Sequence, residues 1–332
     1  MKRPLQILIA LLFAALSTGC DNGDIAVGDL GEIAFNAKHI LRALDQEGMN
    51  SGKGKVFVYG VMNNTTTIYS KAEVTRDAAT GKWFPSTKKN WVDGSSYSFY
   101  AYAYNTNSGL SFASGKDGLE ITVAQPSTYN ESAMIDYLLS YTFKVADGAM
   151  KPIVPLYLEH AMALVEIYVV RGNMFEARLK KMTFENIYRE GLMKCTSQAI
   201  VNSGERNVWQ VIPSGTDDVK YTFTPTSTTT IGDKRETTAA KMSIMCLPQQ
   251  ITANTKLTIE FEVNEKVTPE SSDNWVSHKE EFKLFNYNPV NYQSGHRIIY
   301  TATIDSGVNL EGVVKDWIDV DYIEGTVLPE IE

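Results

Sequence analysis

Residues 97–104 read Tyr-Ser-Phe-Tyr-Ala-Tyr-Ala-Tyr. Tyr97, Phe99, Ala101 and Ala103 fall on one side of an extended chain, and Ser98, Tyr100, Tyr102 and Tyr104 on the other. This period of two is that of a β-strand, and Asp93-Gly94 supplies a turn before it. Working outward, Lys55–Met62 (KVFVYGVM) is an apolar, β-branched run that stops at Asn63-Asn64, as a buried strand before a turn does. Short strand signals recur at 66–70, 82–84 and 119–123, and then at 156–158, 163–171, 182–188, 208–212, 221–223, 241–247, 256–263, 281–284 and 297–304. A last pair is expected at 308–313 and 318–323. Upstream, Ile33 and Phe35 alternate with Ala34 and Asn36 in a short strand. A Gly-containing polar stretch, 45–55, separates it from the body. No amphipathic helix longer than about two turns is expected; Asp136–Leu139 and Phe175–Arg178 read as short helical turns. The reading is all-β, in two β-sandwiches. The boundary is placed at 150/151, where Gly148, Pro152 and Pro155 suggest a crossover.

Composition agrees. Of 332 residues 43 % are hydrophobic, enough for packed cores, and 17 Tyr outnumber 4 His. The net charge of −8 offers no basic surface for nucleic acid. Three Cys are too few for a disulfide scaffold. Cys195 and Cys246 are either a disulfide pair or two buried free thiols.

The first residues carry an address. Lys2 and Arg3 precede an apolar run, Leu5–Leu16, too short to span a bilayer as a helix and suited to a signal peptide over residues 1–19. Leu16-Ser17-Thr18-Gly19-Cys20 resembles a bacterial lipobox, in which small residues admit the peptidase and the Cys20 thiol takes the lipid. Several acyl chains, at ~0.8 kcal/mol per buried methylene, anchor a protein stably. The expectation is an exported lipoprotein held to outer-membrane lipid through Cys20. Asp21 and Asp24 behind it agree with export to the surface.

Catalytic signatures are missing from the sequence. No His-Glu-x-x-His, Gly-x-Ser-x-Gly, P-loop or dinucleotide fingerprint occurs, and the spacing of His278 and His296 suits no metal. His160 reads as a structural hydrogen-bonding residue on a strand. The expectation is no enzyme, no cofactor and no metal. Two other readings stand beside it: a monomeric surface lipoprotein binding glycan on Tyr100–Tyr104, and a hydrolase with a carboxylate pair that meets only in space.

An ordered set of landmarks resembles the fimbrillin-like family of Bacteroides-type bacteria, the subunits of type V pili. They are Ile33-Ala34-Phe35 with Arg42-Ala43 behind it; Trp91 followed by Tyr97–Tyr102; and Asp136-Tyr137-Leu138-Leu139. Leu156–Ala163 follows, similar to that family's L-x-F-x-H-A-x-A strand, with Leu158 where an aromatic is usual. Leu247-Pro248-Gln249, Ser294–Tyr300 and Val313–Trp317 complete the set. The resemblance implies two transthyretin-like β-sandwich domains, over 43–150 and 151–332, behind a lipidated propeptide, 20–42. It implies that a strand at Glu32–Leu41, with Ile33 and Phe35 inward, completes a sheet in the precursor. A trypsin-like protease then cuts at Arg42–Ala43, Lys38 being a poorer site inside the strand. The strand leaves with the lipid, and another pilus subunit donates a β-strand to the groove. The expected setting is a fimbrium at the outer membrane and cell surface, serving adhesion. Only fifteen residues follow Trp317, with Ile318, Val320, Tyr322, Val327, Leu328 and Ile331 as apolar points. A short tail suits a tip or accessory subunit; an anchor that keeps its lipid is the alternative.

Overall fold

The computed structural model of the chain describes residues 31–38, 55–104, 111–115, 118–140, 143–172, 176–194, 210–215, 217–266, 272–287, 289, 291–305 and 308–316. Among these the secondary structure is β throughout, apart from three single turns of 3-10 helix. The first half contributes β1 (Phe35–Lys38), β2 (Lys55–Met62), β3 (Thr66–Arg76), β4 (Trp83–Pro85), β5 (Tyr97–Tyr104), β6 (Ser111–Gly115), β7 (Gly118–Ala124), β8 (Tyr137–Ser140), β9 (Phe143–Val145) and β10 (Val154–His160). The second half contributes β11 (Ala163–Arg171), β12 (Glu176–Ile187), β13 (Glu190–Lys194), β14 (Gln210–Ser214), β15 (Val219–Phe223), β16 (Thr229–Thr230), β17 (Lys241–Cys246), β18 (Gln249–Gln250), β19 (Lys256–Asn264), β20 (Trp275–Lys283), β21 (Asn291–Tyr292), β22 (His296–Ile304) and β23 (Val308–Asp316).

The hairpin of β2 and β3 shows how local sequence builds this. Asn63 and Asn64 both take positive φ, 53° and 58°, and the Thr65 N–H donates to the Met62 carbonyl at 3.2 Å. Asn tolerates the left-handed region, and two such residues give a turn whose twist matches the flanking strands. The Asn63 carboxamide is used as well, accepting from the Ser96 N–H at 2.8 Å and so joining this turn to the start of β5.

Strand pairing in the first half runs β2-β3-β4-β1-β10-β8-β5-β9, and β2 also pairs with β5. Seven of these strands therefore close into a ring, with β9 attached to β5. Inside it Tyr97, Phe99, Ala101 and Ala103 of β5 meet Val56, Val58, Trp83, Trp91, Val154, Leu156 and Leu158 in one apolar core. In the second half, a sheet of order β17-β11-β22-β23 and a sheet of order β15-β12-β19-β20 face each other. Val165, Ile167 and Val169 of the first sheet share a core with Met182, Phe184, Ile259 and Phe261 of the second. A further sheet, β14-β13-β7-β6, draws strands from both halves.

That mixed sheet decides between two readings of the Tyr-rich side of β5, sugar stacking and internal packing. Tyr100 and Tyr102, on the side of β5 away from the ring's interior, are buried rather than exposed for sugar stacking. They join Phe57, Ile121, Val123, Met193 and Leu247 in a third apolar cluster, which packs the ring against the rest of the chain. Both faces of β5 are thus covered, and its Tyr-rich side is an internal contact.

The Asp136–Leu139 helical turn is not formed. Tyr137–Ser140 is the strand β8, with Leu138 facing Ala103 on one side and His160 on the other. Pairing on both edges overrides the local turn tendency. Arg178 likewise lies inside β12, which bulges between Leu179 and Lys181 where it pairs with β19; Phe175 lies outside the described residues. The change of sheet falls between β10 and β11, beyond residue 150. Val154, Leu156 and Leu158 fill the first core, and Pro155 is accommodated because β10 pairs with β8 only at Leu158–His160. Of the expected last strand pair, the first is β23, and 318–323 lies outside the described residues.

Candidate functional site

The place of β1 in the ring is the feature with functional consequences. β1 runs parallel to β10, with Phe35 beside Val154, Asn36 beside Pro155, Ala37 beside Leu156 and Lys38 beside Tyr157. On its other edge Phe35 pairs antiparallel with Trp83 of β4. The pairing continues upstream: the Ile33 N–H donates to the Lys89 carbonyl at 2.8 Å, and the Trp91 N–H to the Gly31 carbonyl at 3.2 Å. The Val154 N–H donates to the Ala34 carbonyl at 2.9 Å. Residues 31–38 therefore link two stretches of chain, around 83–91 and around 154–157, that have no other strand between them in the ring.

Side chains follow the strand period. Ile33 and Phe35 point inward and are 0 % exposed. The Phe35 ring stands edge-on to Phe99, centroids 5.5 Å apart, and to Tyr69, 6.0 Å apart. Trp91 closes the same pocket, 5.8 Å from Phe99 and 4.9 Å from Tyr97. Burial pushes the Tyr69 hydroxyl up to about 12, so it stays neutral. The Tyr97 hydroxyl, also raised by burial, accepts the Val92 N–H at 2.8 Å, which pins the turn beside the slot. Outside, Glu32 meets Lys88 at 2.7 Å, and that ammonium lies 4.7 Å over the Phe84 ring. Both charges are largely solvated, and such pairs contribute little.

Chemically, this arrangement holds an extended segment by main-chain hydrogen bonds along two edges and by two apolar side chains sunk in an aromatic pocket. Fully burying side chains such as Ile33 and Phe35 is worth ~1.5–3 kcal/mol each. Withdrawing the segment would bare β4, β10 and the pocket to water together, so the slot favours being filled.

Of the residues singled out from sequence, Ile33 and Phe35 lie side by side in this pocket. Cys20, Arg42 and Ala43 lie outside the described residues, as does Cys195. Lys38 is part of β1, its backbone paired with Tyr157. His160 is buried, its Nδ1 2.8 Å from an Asp136 carboxylate oxygen that is itself buried, which ties the end of β10 to the start of β8. Cys246 is a buried free thiol in the second-half core, its acidity suppressed by burial. No group of three or more His, Cys, Asp or Glu that would hold a metal occurs among the described residues. A polar cleft of about 290 Å³ is lined by Asn186, Asp217, Asp218, Ala253, Asn254, Lys256, Glu281 and Lys283. Lys256 there is engaged by Glu281 at 3.0 Å and Glu185 at 3.5 Å. Sequence reasoning placed Ile33 and Phe35 on one face of a strand and missed the walls around them. Trp83 was legible as a strand residue, but nothing in its neighbourhood announces a partner almost fifty positions upstream.

Comparison with known proteins bears on this fold. Among curated proteins none matches the chain in sequence. Among solved structures, a candidate cell adhesion protein of Bacteroides uniformis superposes with a TM-score of 0.54 at 18 % identity, over 86 % of this chain and 99 % of that one. A candidate cell adhesion protein of Bacteroides ovatus gives 0.47 at 16 % identity, over 86 % and 97 %. The tip fimbrial protein Mfa3 of Porphyromonas gingivalis, with a C-terminal truncation, gives 0.39 at 10 % identity, over 86 % and 98 %. At such identities the first of these speaks for a shared fold alone. The sequence model of the fimbrillin-like family matches residues 42–317, most of the chain, and the chain therefore belongs to the fimbrillin-like family.

Proposed function

We propose that this chain is a structural subunit of a cell-surface fimbrium that serves adhesion, built of two sandwich domains and exported as a lipoprotein through Cys20. Cleavage at Arg42–Ala43 frees the segment carrying β1, and a strand of another subunit takes its place. Membership of the fimbrillin-like family supports the fimbrial reading, and the likeness to proteins named for adhesion and for a fimbrial tip agrees with it. The observation that carries the exchange is the position of β1: a short strand near the amino end, placed between β4 and β10, with Ile33 and Phe35 wholly buried. Its loss opens the ring, and only another strand restores both edges. Lys38 is paired within β1, which makes it a poor site for a protease. Within the fimbrium its proposed place is that of a tip or accessory subunit that accepts a strand, with an anchor that keeps its lipid as the alternative.

Mild trypsin digestion of the lipid-free precursor tests this. The expected result is one early cut at Arg42, followed by oligomers or uptake of a strand peptide. An Arg42→Ala variant that assembles as well as the parent after protease treatment overturns the switch.

A further inference from the structure

The polar cleft of the second half is built on an irregularity. The β12–β15 pairing shifts register between Glu185 and Ile187, and Asn186 between them takes a positive φ of 63°. Its carboxamide nitrogen donates to the Asn254 carbonyl at 2.7 Å, and its own carbonyl accepts from the Thr255 hydroxyl at 2.9 Å. The turn before β19 is thereby fastened to the end of β12, and Asp217, Lys256, Glu281 and Lys283 line the cleft beside this junction. The protein uses these groups only in part. Lys256 is held by Glu281 and Glu185. Lys283 stands directly across from Lys256 in the β19–β20 pairing and has no ion-pair partner among the described residues. Like charges opposed across a ladder destabilise a sheet. The half-buried Asp217 carboxylate also has no hydrogen-bond or ion-pair partner among the described residues. Phe285 is 45 % exposed, the one aromatic among the exposed large apolar side chains of the described residues. It lies two positions after Lys283, in the 3-10 turn Leu284–Asn286, whose Leu284 N–H donates to the Thr255 carbonyl at 2.9 Å. An unpaired cation, an unpaired anion and an open ring in one small region are not what folding alone favours, and such local conflicts concentrate at functional sites.

The chemistry of the lining narrows the ligand. The acidic groups do not converge as a metal site, and Glu281 is already neutralised by Lys256. Asp217 and Asp218 oppose a phosphate or sulfate. Ala253 is the one apolar residue lining the cleft among the described residues, so no wall suits a hydrophobic ligand. A sugar fits what remains. Its hydroxyls accept from ammonium and carboxamide N–H groups and donate to carboxylate and carboxamide oxygens, and its C–H face packs on an aromatic ring. At about 290 Å³ the cleft lies near the small end of the ~300–1,000 Å³ range of small-molecule sites, which suits a mono- or disaccharide unit. We propose that this cleft binds a neutral saccharide, with Asp217 and Lys283 holding its hydroxyls and Phe285 against its C–H face. The site is made of second-half elements, whose core is separate from the one around β1, and the inference does not depend on strand exchange. It adds a ligand class to the adhesive role.

The test applies the uncut lipid-free precursor to an array of neutral oligosaccharides of glucose, galactose, mannose and N-acetylglucosamine, with sialylated and sulfated ones alongside. The best neutral binder is then titrated by calorimetry, with and without EDTA. Asp217→Ala and Lys283→Ala are each expected to weaken binding about tenfold or more, as the loss of a hydrogen bond to a charged group does. Phe285→Ala is expected to weaken it about three- to tenfold. Lys279→Ala, on the same face of β20 and outside the cleft, changes it by less than about twofold. Lys283→Ala should unfold at a urea concentration no lower than the parent's, because it removes the contact between like charges, so its loss of binding is not a loss of fold. EDTA leaves binding unchanged. The inference is overturned if no neutral oligosaccharide binds at about 1 mM, if only the acidic ones bind, if EDTA abolishes binding, or if the three cleft variants bind like the parent. Each of these results leaves strand exchange standing.

Discussion

Replacing Phe35 by Ala in the uncut precursor should cost the first half of the molecule about 3–5 kcal/mol, the range for a Phe→Ala change that leaves a core cavity. The structure supports that size by two routes. The ring is 0 % exposed, and burying a side chain of this kind is worth ~1.5–3 kcal/mol. Its edge-on contacts with Phe99 and Tyr69 add ~0.5–1.5 kcal/mol each. The hole opens inside the core that also holds Trp83 and Trp91, whereas the second-half core is a separate cluster. Urea unfolding followed by tryptophan fluorescence is therefore the assay. At a slope of ~1–3 kcal/mol per molar urea, the midpoint of the first-half transition drops by one molar or more. Asn36→Ala is the control on the same strand: its side chain is partly open, and a change within about 0.5 kcal/mol is expected. A Phe35→Ala effect below about 1 kcal/mol would refute the reasoning, because β1 would then be an ornament on the ring and not part of its closure.

Two further outcomes follow from the second half. Glu166 is buried between Arg297 at 2.6 Å and Lys241 at 2.8 Å; burial works to raise its carboxyl, but the two cations outweigh it and hold it below its ordinary value. A depressed carboxylate contributes stability above its unfolded value that fades as pH falls through the lower folded one, so acid titration of unfolding should show a loss below that range which Glu166→Gln lacks. At neutral pH the same variant is expected to lose about 1–2 kcal/mol, less than for a fully buried pair because both cations are part-solvated. Cys246, a free thiol in the core whose burial suppresses the thiolate, should resist iodoacetamide in the native protein and react once it is unfolded in urea, as peptide mass mapping would show. Native-state labelling at a rate near that of the unfolded chain would contradict its placement.

Strand identity was legible because a period of two is a local property: Tyr97–Tyr104 and Lys55–Met62 form β5 and β2 where the pattern puts them, and Asn63-Asn64 makes the turn between strands. Where local tendency and pairing compete, pairing decides. Asp136–Leu139 has a turn's composition and becomes a strand because β5 and β10 each claim one of its edges. Tyr100 and Tyr102 differ little in sequence terms from exposed aromatics, and they are buried because strands from both halves form a sheet over them. The sequence alone determined that the chain is built of strands, that Ile33 and Phe35 lie on one face of a short strand near the amino end, and, by the order of its landmarks, its family. Only the tertiary structure decided that this strand sits between β4 and β10 as the piece closing a ring, with Ala34 covered as well. The physical reason is that side-chain alternation is written into consecutive residues, whereas hydrogen-bond partners are set by whichever distant edges remain unpaired when the core closes.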